Sequence, residues 1–186
     1  NLKKKRIPAL LTREPGGTKS AELIRNLILK DYFNHDSKEK FDKYTDTLLY
    51  LAARNEHIKN KIDPALKKKS VVICDRFTDS TLAYQVYGKN VNINFINNIH
   101  KFILGKIKPN LTFVLKVSTE TSKKRLKKRK TKNRYDNFAQ NFYSKAQNSF
   151  LKIAKNKKNY FVLNSSKNDS NLEKKIFKIV SAYLKI

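Results

Sequence analysis

An α/β fold, a parallel β-sheet flanked by helices, is predicted for the 186 residues on three grounds. Strand-like and helix-like segments alternate from end to end, which implies parallel strands joined by helical crossovers. The apolar run Ser70–Cys74 (SVVIC) is continuous, as in a strand buried on both faces. Two strands hand directly into charged pairs, Arg13-Glu14 and Asp75-Arg76. Open parallel sheets bind ligands outside the carboxyl ends of their strands, where these pairs fall. No internal repeat and no Pro/Gly/Ser linker divides the chain, so 1–186 reads as one domain.

The elements follow in order. Ile7 to Thr12 (IPALLT) is a short strand, and Arg13-Glu14-Pro15-Gly16-Gly17 is a turn. Thr18 or Ser20 caps a helix with Leu23, Ile24, Leu27 and Ile28 on one face. A polar loop with His35 and Asp36 leads to a helix over about Phe41–Ile62, where Phe41, Tyr44, Leu48, Leu51, Ala52, Ile58 and Ile62 keep helical spacing. Pro64 lies at its end. After the Ser70–Cys74 strand, Ser80–Tyr87 and Asn94–Leu104 read as helices and Leu111–Val117 as a strand. Ser118-Thr119 caps a basic helix to about Lys130, Thr131–Asp136 is a loop, and Asn137–Lys155 is helical. Tyr160–Leu163 is the last strand, and Ser170 with Glu173 forms a capping box for a helix burying Leu172, Ile176, Phe177, Val180 and Leu184.

Composition narrows the function classes. A single cysteine, Cys74, excludes an intramolecular disulfide and a Cys-based zinc site. It reads as a small buried hydrophobe. No apolar run approaches the roughly 18 residues of a membrane span, and no signal-peptide pattern follows Asn1, so a cytoplasmic setting is expected. The absence of any methionine leads to the expectation that an N-terminal piece of the translated product lies outside these residues. Lys plus Arg number 42 against 15 Asp plus Glu, a net charge of +27. The charge is compatible with nucleic-acid binding. Its even spread, with abundant Lys, Asn, Ile, Phe and Tyr, fits the compositional bias of an AT-rich genome better, so nucleic acid is not the expected partner.

Some residues point to chemistry. Ions at a strand end beside a core need partners. Asp75-Arg76 is either a structural ion pair or a functional one, with Asp75 facing a metal or its waters and Arg76 forking onto a phosphate. Tyr50 and Arg54 are four apart, so both project from one helix face, either as a half-buried ring and a solvated cation or as a stacking platform with a base-reading donor. Arg125, Arg129 and Arg134 form either a solvated basic face or an arginine-bearing loop that closes over a phosphoryl donor. His35, His57 and His100 lack metal-ligand spacing and read as surface or capping histidines.

Together the motifs resemble bacterial thymidylate kinases, P-loop enzymes acting on dTMP. Thr12-Arg13-Glu14-Pro15-Gly16-Gly17-Thr18 is similar to their TREPGGT signature, Leu48–Arg54 (LLYLAAR) to LLFxAxR, and Asp75–Gln85 (DRFTDSTLAYQ) to DRYxDSSLAYQ. Arg125–Asp136, ending Asn133-Arg134-Tyr135-Asp136, resembles the Arg-rich LID, set at about 125–140. The resemblance implies a three-layer α/β/α P-loop NTPase fold, ATP and Mg²⁺ as donor and cofactor, dTMP as acceptor, and a homodimer. It implies that Glu14, Arg25 and Arg76 line the acceptor-phosphate site, with Tyr50 stacked on thymine and Arg54 on the base carbonyl. Thr81 and Gln85 would meet the base edge, and Tyr84 would sit against the deoxyribose. Asp75 would lie near Mg²⁺, with Arg125, Arg129 and Arg134 around the transferring phosphoryl. The alternatives are a basic nucleic-acid-binding protein on a kinase-like fold and a kinase for another deoxynucleoside monophosphate.

Three departures stand out. No Gly-x-x-x-x-Gly-Lys-Ser/Thr occurs. The family's first strand and P-loop are therefore expected before Asn1, with Leu2–Arg6 the tail of the helix that follows them. The 186 residues alone are not expected to be active, because that loop cradles the ATP phosphates. Gln147 and Phe150 stand where the family usually has Arg and Tyr, and Asn133 and Asp136 replace its Asp and Glu.

Overall fold

The computed structural model describes residues 2–30, 40–128, 140–167 and 169–186. A 3₁₀ turn at Lys3–Lys5 occupies the expected helical tail. Strand β1 runs Ala9–Arg13, two residues later than Ile7, because Pro8 has no N–H to place in a ladder. Its carbonyl still accepts from Val71 N at 2.9 Å. Helix α1 (Lys19–Leu29) starts at Thr18, whose Oγ1 accepts from Ala21 N at 3.2 Å. Helix α2 (Lys43–His57) passes into a π-helical turn at Ile58–Ile62 and then into α3 (Asp63–Lys67). The expected single helix is interrupted at this turn because Pro64, in the first turn of α3, cannot donate back to Asn60.

Strand β2 (Val71–Asp75) pairs in parallel with β1, aligning Leu11 with Ile73 and Arg13 with Asp75. Helix α4 (Thr78–Thr81) widens into a π-helical turn at Leu82–Gly88, and α5 (Ile93–Leu104) follows. Strand β3 (Thr112–Lys116) leads to α6 (Thr119–Lys127), capped by Ser118. Helix α7 (Gln140–Ala154), strand β4 (Tyr160–Asn164) and helix α8 (Ser170–Leu184) complete the described chain. β4 pairs in parallel with β3. The α/β class is as expected, with parallel strands flanked by helices.

Several local expectations are corrected. The strands form two two-stranded sheets, β1-β2 and β3-β4, among the described residues, where one sheet was expected. β2 is not buried on both faces: Ile73 is 46% exposed and its register partner Leu11 is 75% exposed. Among the described residues no layer covers that face, although parallel sheets are stable with both faces covered. Asp169, not a Ser170–Glu173 box, caps α8, its Oδ1 accepting from Asn171 N and Leu172 N at 3.1 and 3.3 Å. A carboxylate one residue earlier is the stronger acceptor for the helix's first N–H groups. The apolar side of α8 is half-buried, with no fully buried residue. Cys74 too is half-buried, its Sγ 3.1 Å from Arg76 O.

One core cluster positions the site. Leu51 of α2 packs with Val91, Ile96 and Ile103, and Tyr44 meets Phe95 edge-on at 5.2 Å. This seam clamps α5 onto α2, so polar residues further along the two helices meet side by side.

Candidate active site

The Glu14–Gly17 turn leaves β1 at its carboxyl end and continues the strand ladder, with Glu14 N donating to Asp75 O at 2.9 Å. The Glu14–Pro15 peptide is cis. Two glycines are required here by conformation and by space. Gly16 and Gly17 have φ of +126° and +94°, a region costly for side chains. A Cβ on Gly16 would collide with the Glu22 carboxylate, and one on Gly17 would stand 2.6 Å from the His57 ring. Glu22 closes the turn from α1, accepting from Gly17 N at 2.9 Å and from Arg13 Nη2 at 3.2 Å.

Behind the turn lies a buried charge network. Glu14 and Arg54 are 4% and 3% exposed. Arg54 Nε donates to Glu14 Oε2 at 2.7 Å, and His57 Nδ1 donates to Glu14 Oε1 at 3.2 Å. His57 Nε2 shares a 2.7 Å hydrogen bond with Thr12 Oγ1. Arg54 Nη1 donates to Thr81 Oγ1 at 2.8 Å and meets His100 Nε2 at 2.7 Å. The guanidinium also lies 5.4 Å from the centre of the Phe77 ring. Burial alone would push the Glu14 carboxyl up. The Arg54 charge and the hydrogen bonds from His57 and Arg54 outweigh it and hold the carboxyl below its ordinary value.

In front of this network a cavity of about 230 Å³ opens. The eight residues expected to hold the acceptor, Glu14, Arg25, Tyr50, Arg54, Arg76, Thr81, Tyr84 and Gln85, all line it. Arg25 is braced by a 2.7 Å bond from Nη1 to Pro15 O. Arg76 has φ +64°, unusual for a side-chain-bearing residue, and its guanidinium stacks 5.1 Å from the Tyr84 ring centre. Tyr84 in turn packs against Phe142 and Phe150 of α7, at 5.8 and 6.0 Å. Gln85 is 2% exposed, and its Nε2 has no hydrogen-bond partner among the described residues. A buried amide left without a partner on a cavity wall marks a place for a ligand's polar atom.

Two predicted residues lie elsewhere. Asp75 lines a second cavity, with Thr12, Arg13, Gly17, Glu22 and Lys61. Arg125 is exposed and its Nη2 donates to Ser165 O and Ser166 O, at 2.8 and 3.1 Å. Arg129, Arg134 and most of the 125–140 segment lie outside the described residues, as does His35. The expectation for the other histidines is overturned: His57 and His100 are buried, at 0% and 8% exposure. His57 sits three residues after Arg54, so helical spacing alone places it beside Glu14's partner. No spacing signal in the sequence links His100 to Arg54. Glu22 was likewise missed.

Among the described residues, no three His, Cys, Asp or Glu side chains cluster in a way that could hold a metal ion. Asp75 shares the second cavity with one other carboxylate, Glu22, which already accepts from Gly17 N and Arg13 Nη2. That suits Mg²⁺, which keeps waters and takes one or two carboxylates plus substrate phosphates. No helix among the described residues is long and apolar enough to cross a membrane.

The chain is 43% identical over 148 residues to a thymidylate kinase of Wolbachia sp. subsp. Brugia malayi, covering 79% of this chain and 66% of that protein, just under two thirds of its length. It is 37% identical over 180 residues to the thymidylate kinase of Mycoplasma capricolum subsp. capricolum, covering 95% of this chain and 82% of the relative. The crystal structure of thymidylate kinase from Ehrlichia chaffeensis superposes with a TM-score of 0.68 at 28% identity, over 92% of this chain and 81% of that one. The thymidylate kinase family model matches residues 1–176, and with these relatives it shows that the chain belongs to the thymidylate kinase family.

Proposed function

We propose that the protein transfers the γ-phosphoryl group of ATP to dTMP, giving dTDP. One observation carries the reading: eight side chains from four separate stretches of sequence converge on one cavity, backed by a buried Glu14–Arg54 pair and holding an unpartnered Gln85 amide. Arg25 and Arg76 supply fixed positive charge for the acceptor phosphate. Tyr50 offers a ring for the pyrimidine, and Arg54 and Gln85 read its edge. Tyr84, wedged between Arg76 and α7, walls off the sugar. Catalysis is then mostly positioning and charge stabilisation, with little covalent work for the protein.

Asp75 would hold Mg²⁺ through one carboxylate and waters, and the ion would neutralise charge on the donor phosphates. The second cavity that Asp75 lines shares no residue with the acceptor cavity, which supports separate donor and acceptor sites. Residues 1–186 read as one kinase domain, and the resemblance to the family assigns the LID to about 125–140, with Arg125, Arg129 and Arg134 as its candidate donor-side cations. Family membership supports a homodimer and a cytoplasmic setting.

The test is ADP production by the full-length protein with a panel of monophosphates. Turnover that requires dTMP supports the proposal. Turnover with another monophosphate in preference replaces the substrate. No turnover, with duplex DNA binding that falls steeply with salt, favours the nucleic-acid reading that the +27 charge allows.

A further inference from the structure

We infer that His100 is a positioning residue for nucleobase recognition, a neutral hydrogen-bond acceptor that holds Arg54 so that only its Nη2 group is left to read the base. The inference rests on the acceptor-site reading above. Its geometry comes from donor bookkeeping. A guanidinium carries five N–H donors and accepts nothing. Arg54 Nε–H is committed to Glu14 Oε2, and the two Nη1 hydrogens go to Thr81 Oγ1 and His100 Nε2. Nη2 takes part in none of these three bonds, and the side chain lines the cavity.

Because Arg54 can only donate, His100 Nε2 must be the unprotonated nitrogen, and any ring proton sits on Nδ1. The surroundings enforce this state. Burial, together with the Arg54 cation, pushes His100 down to about 4, only partly offset by Glu14, so the ring is neutral at pH 7. His100 does not itself line the cavity. It reaches Arg54 from α5 because the Leu51–Val91–Ile96–Ile103 seam clamps α5 to α2. The three anchors, Glu14, Thr81 and His100, come from three segments and remove the guanidinium's freedom to swing. A base carbonyl then meets a donor already aimed. A base carrying an amino group at that position meets donor against donor.

The experiment uses the full-length protein. H100L removes the acceptor and H100Q keeps one near the position of Nε2. In H100L the ratio of kcat/KM for dTMP to that for dCMP is expected to fall about tenfold, the worth of one hydrogen bond to a charged group. The KM for ATP should stay unchanged, and H100Q should return most of the ratio. A merely structural role would lower both substrates alike and leave the ratio where it was, which overturns the inference. Independently of any variant's folding, ¹⁵N spectra of the histidine-labelled parent at pH 7 should show His100 with Nδ1 protonated and Nε2 bare. A protonated Nε2 overturns the inference too. A parent that phosphorylates no pyrimidine monophosphate overturns the acceptor-site reading, and this inference with it.

Discussion

Two ion pairs in this protein have the same length and very different surroundings. Arg54–Glu14 and Lys124–Glu120 both measure 2.7 Å, but the first pair is 3% and 4% exposed and the second 72% and 76%. The Glu14→Gln substitution leaves the Arg54 guanidinium buried without its counter-charge, at a cost of about 3–5 kcal/mol. Glu120→Gln removes an exposed i,i+4 pair worth about 0.3–0.5 kcal/mol. At about 2–4 °C per kcal/mol for a domain of this size, Glu14→Gln lowers Tm by roughly 6–20 °C, and Glu120→Gln by no more than about 2 °C. Thermal melts of the full-length protein and both variants give the comparison directly. The pH dependence has a definite sign. Glu14 is held below its ordinary value of 4.5, so the pair's contribution is complete above that pH and is lost as pH falls towards the lowered native value. In the parent, Tm should fall more steeply below pH 4.5 than in Glu14→Gln. Equal effects of the two substitutions, or parallel pH profiles of parent and Glu14→Gln, would falsify the claim that burial makes this pair the anchor of the site.

Further outcomes test the other parts. Gly17→Ala places a Cβ 2.6 Å from His57 and 2.7 Å from Thr12 Oγ1 at φ +94°. Strain and overpacking together should cost about 2–5 kcal/mol in denaturant melts, and a neutral result would mean the turn is far looser than described. Arg76→Ala should cut turnover of dTMP about 10²-fold or more by removing charge from the acceptor phosphate, and unchanged steady-state kinetics would remove it from that role. Arg54→Ala should erode dTMP use more than use of other monophosphates, and equal losses across a nucleotide panel would contradict base reading. The Cys74 thiol is pushed up to about 12, by burial first and then by the Glu14 charge, so it stays protonated at neutral pH. A disulfide reagent should leave it unmodified at pH 7.5 until the protein unfolds, and prompt labelling of native protein would show that the strand end is open.

Much of the site was legible in the sequence because it is written in local runs. A turn needs its glycines next to each other, so Gly16-Gly17 after an apolar strand announced a tight loop before any contact was known. Helical spacing put Tyr50 and Arg54 on one face, and Asp75-Arg76 had to fall where its strand ends. These are short-range consequences of backbone geometry, and they survive into the fold. The alternation of strands and helices determined the α/β class for the same reason.

Other features required the folded chain. His100 meets Arg54 across 46 residues of sequence, and His57 meets Glu14 across 43. The His100 contact has no local period to betray it, and the i,i+3 spacing of Arg54 and His57 points to a neighbour of Arg54 without naming Glu14, so both histidines read as surface or capping groups until the chain is folded. Which acid caps α8, where the helix before Pro64 widens, and which face of β2 stays uncovered were also settled by neighbours in space. A single sequence records the preferences of each segment for its own backbone, whereas burial, the partner of a charge and the tautomer of a histidine are properties of what surrounds it, and those surroundings exist only after the chain has folded.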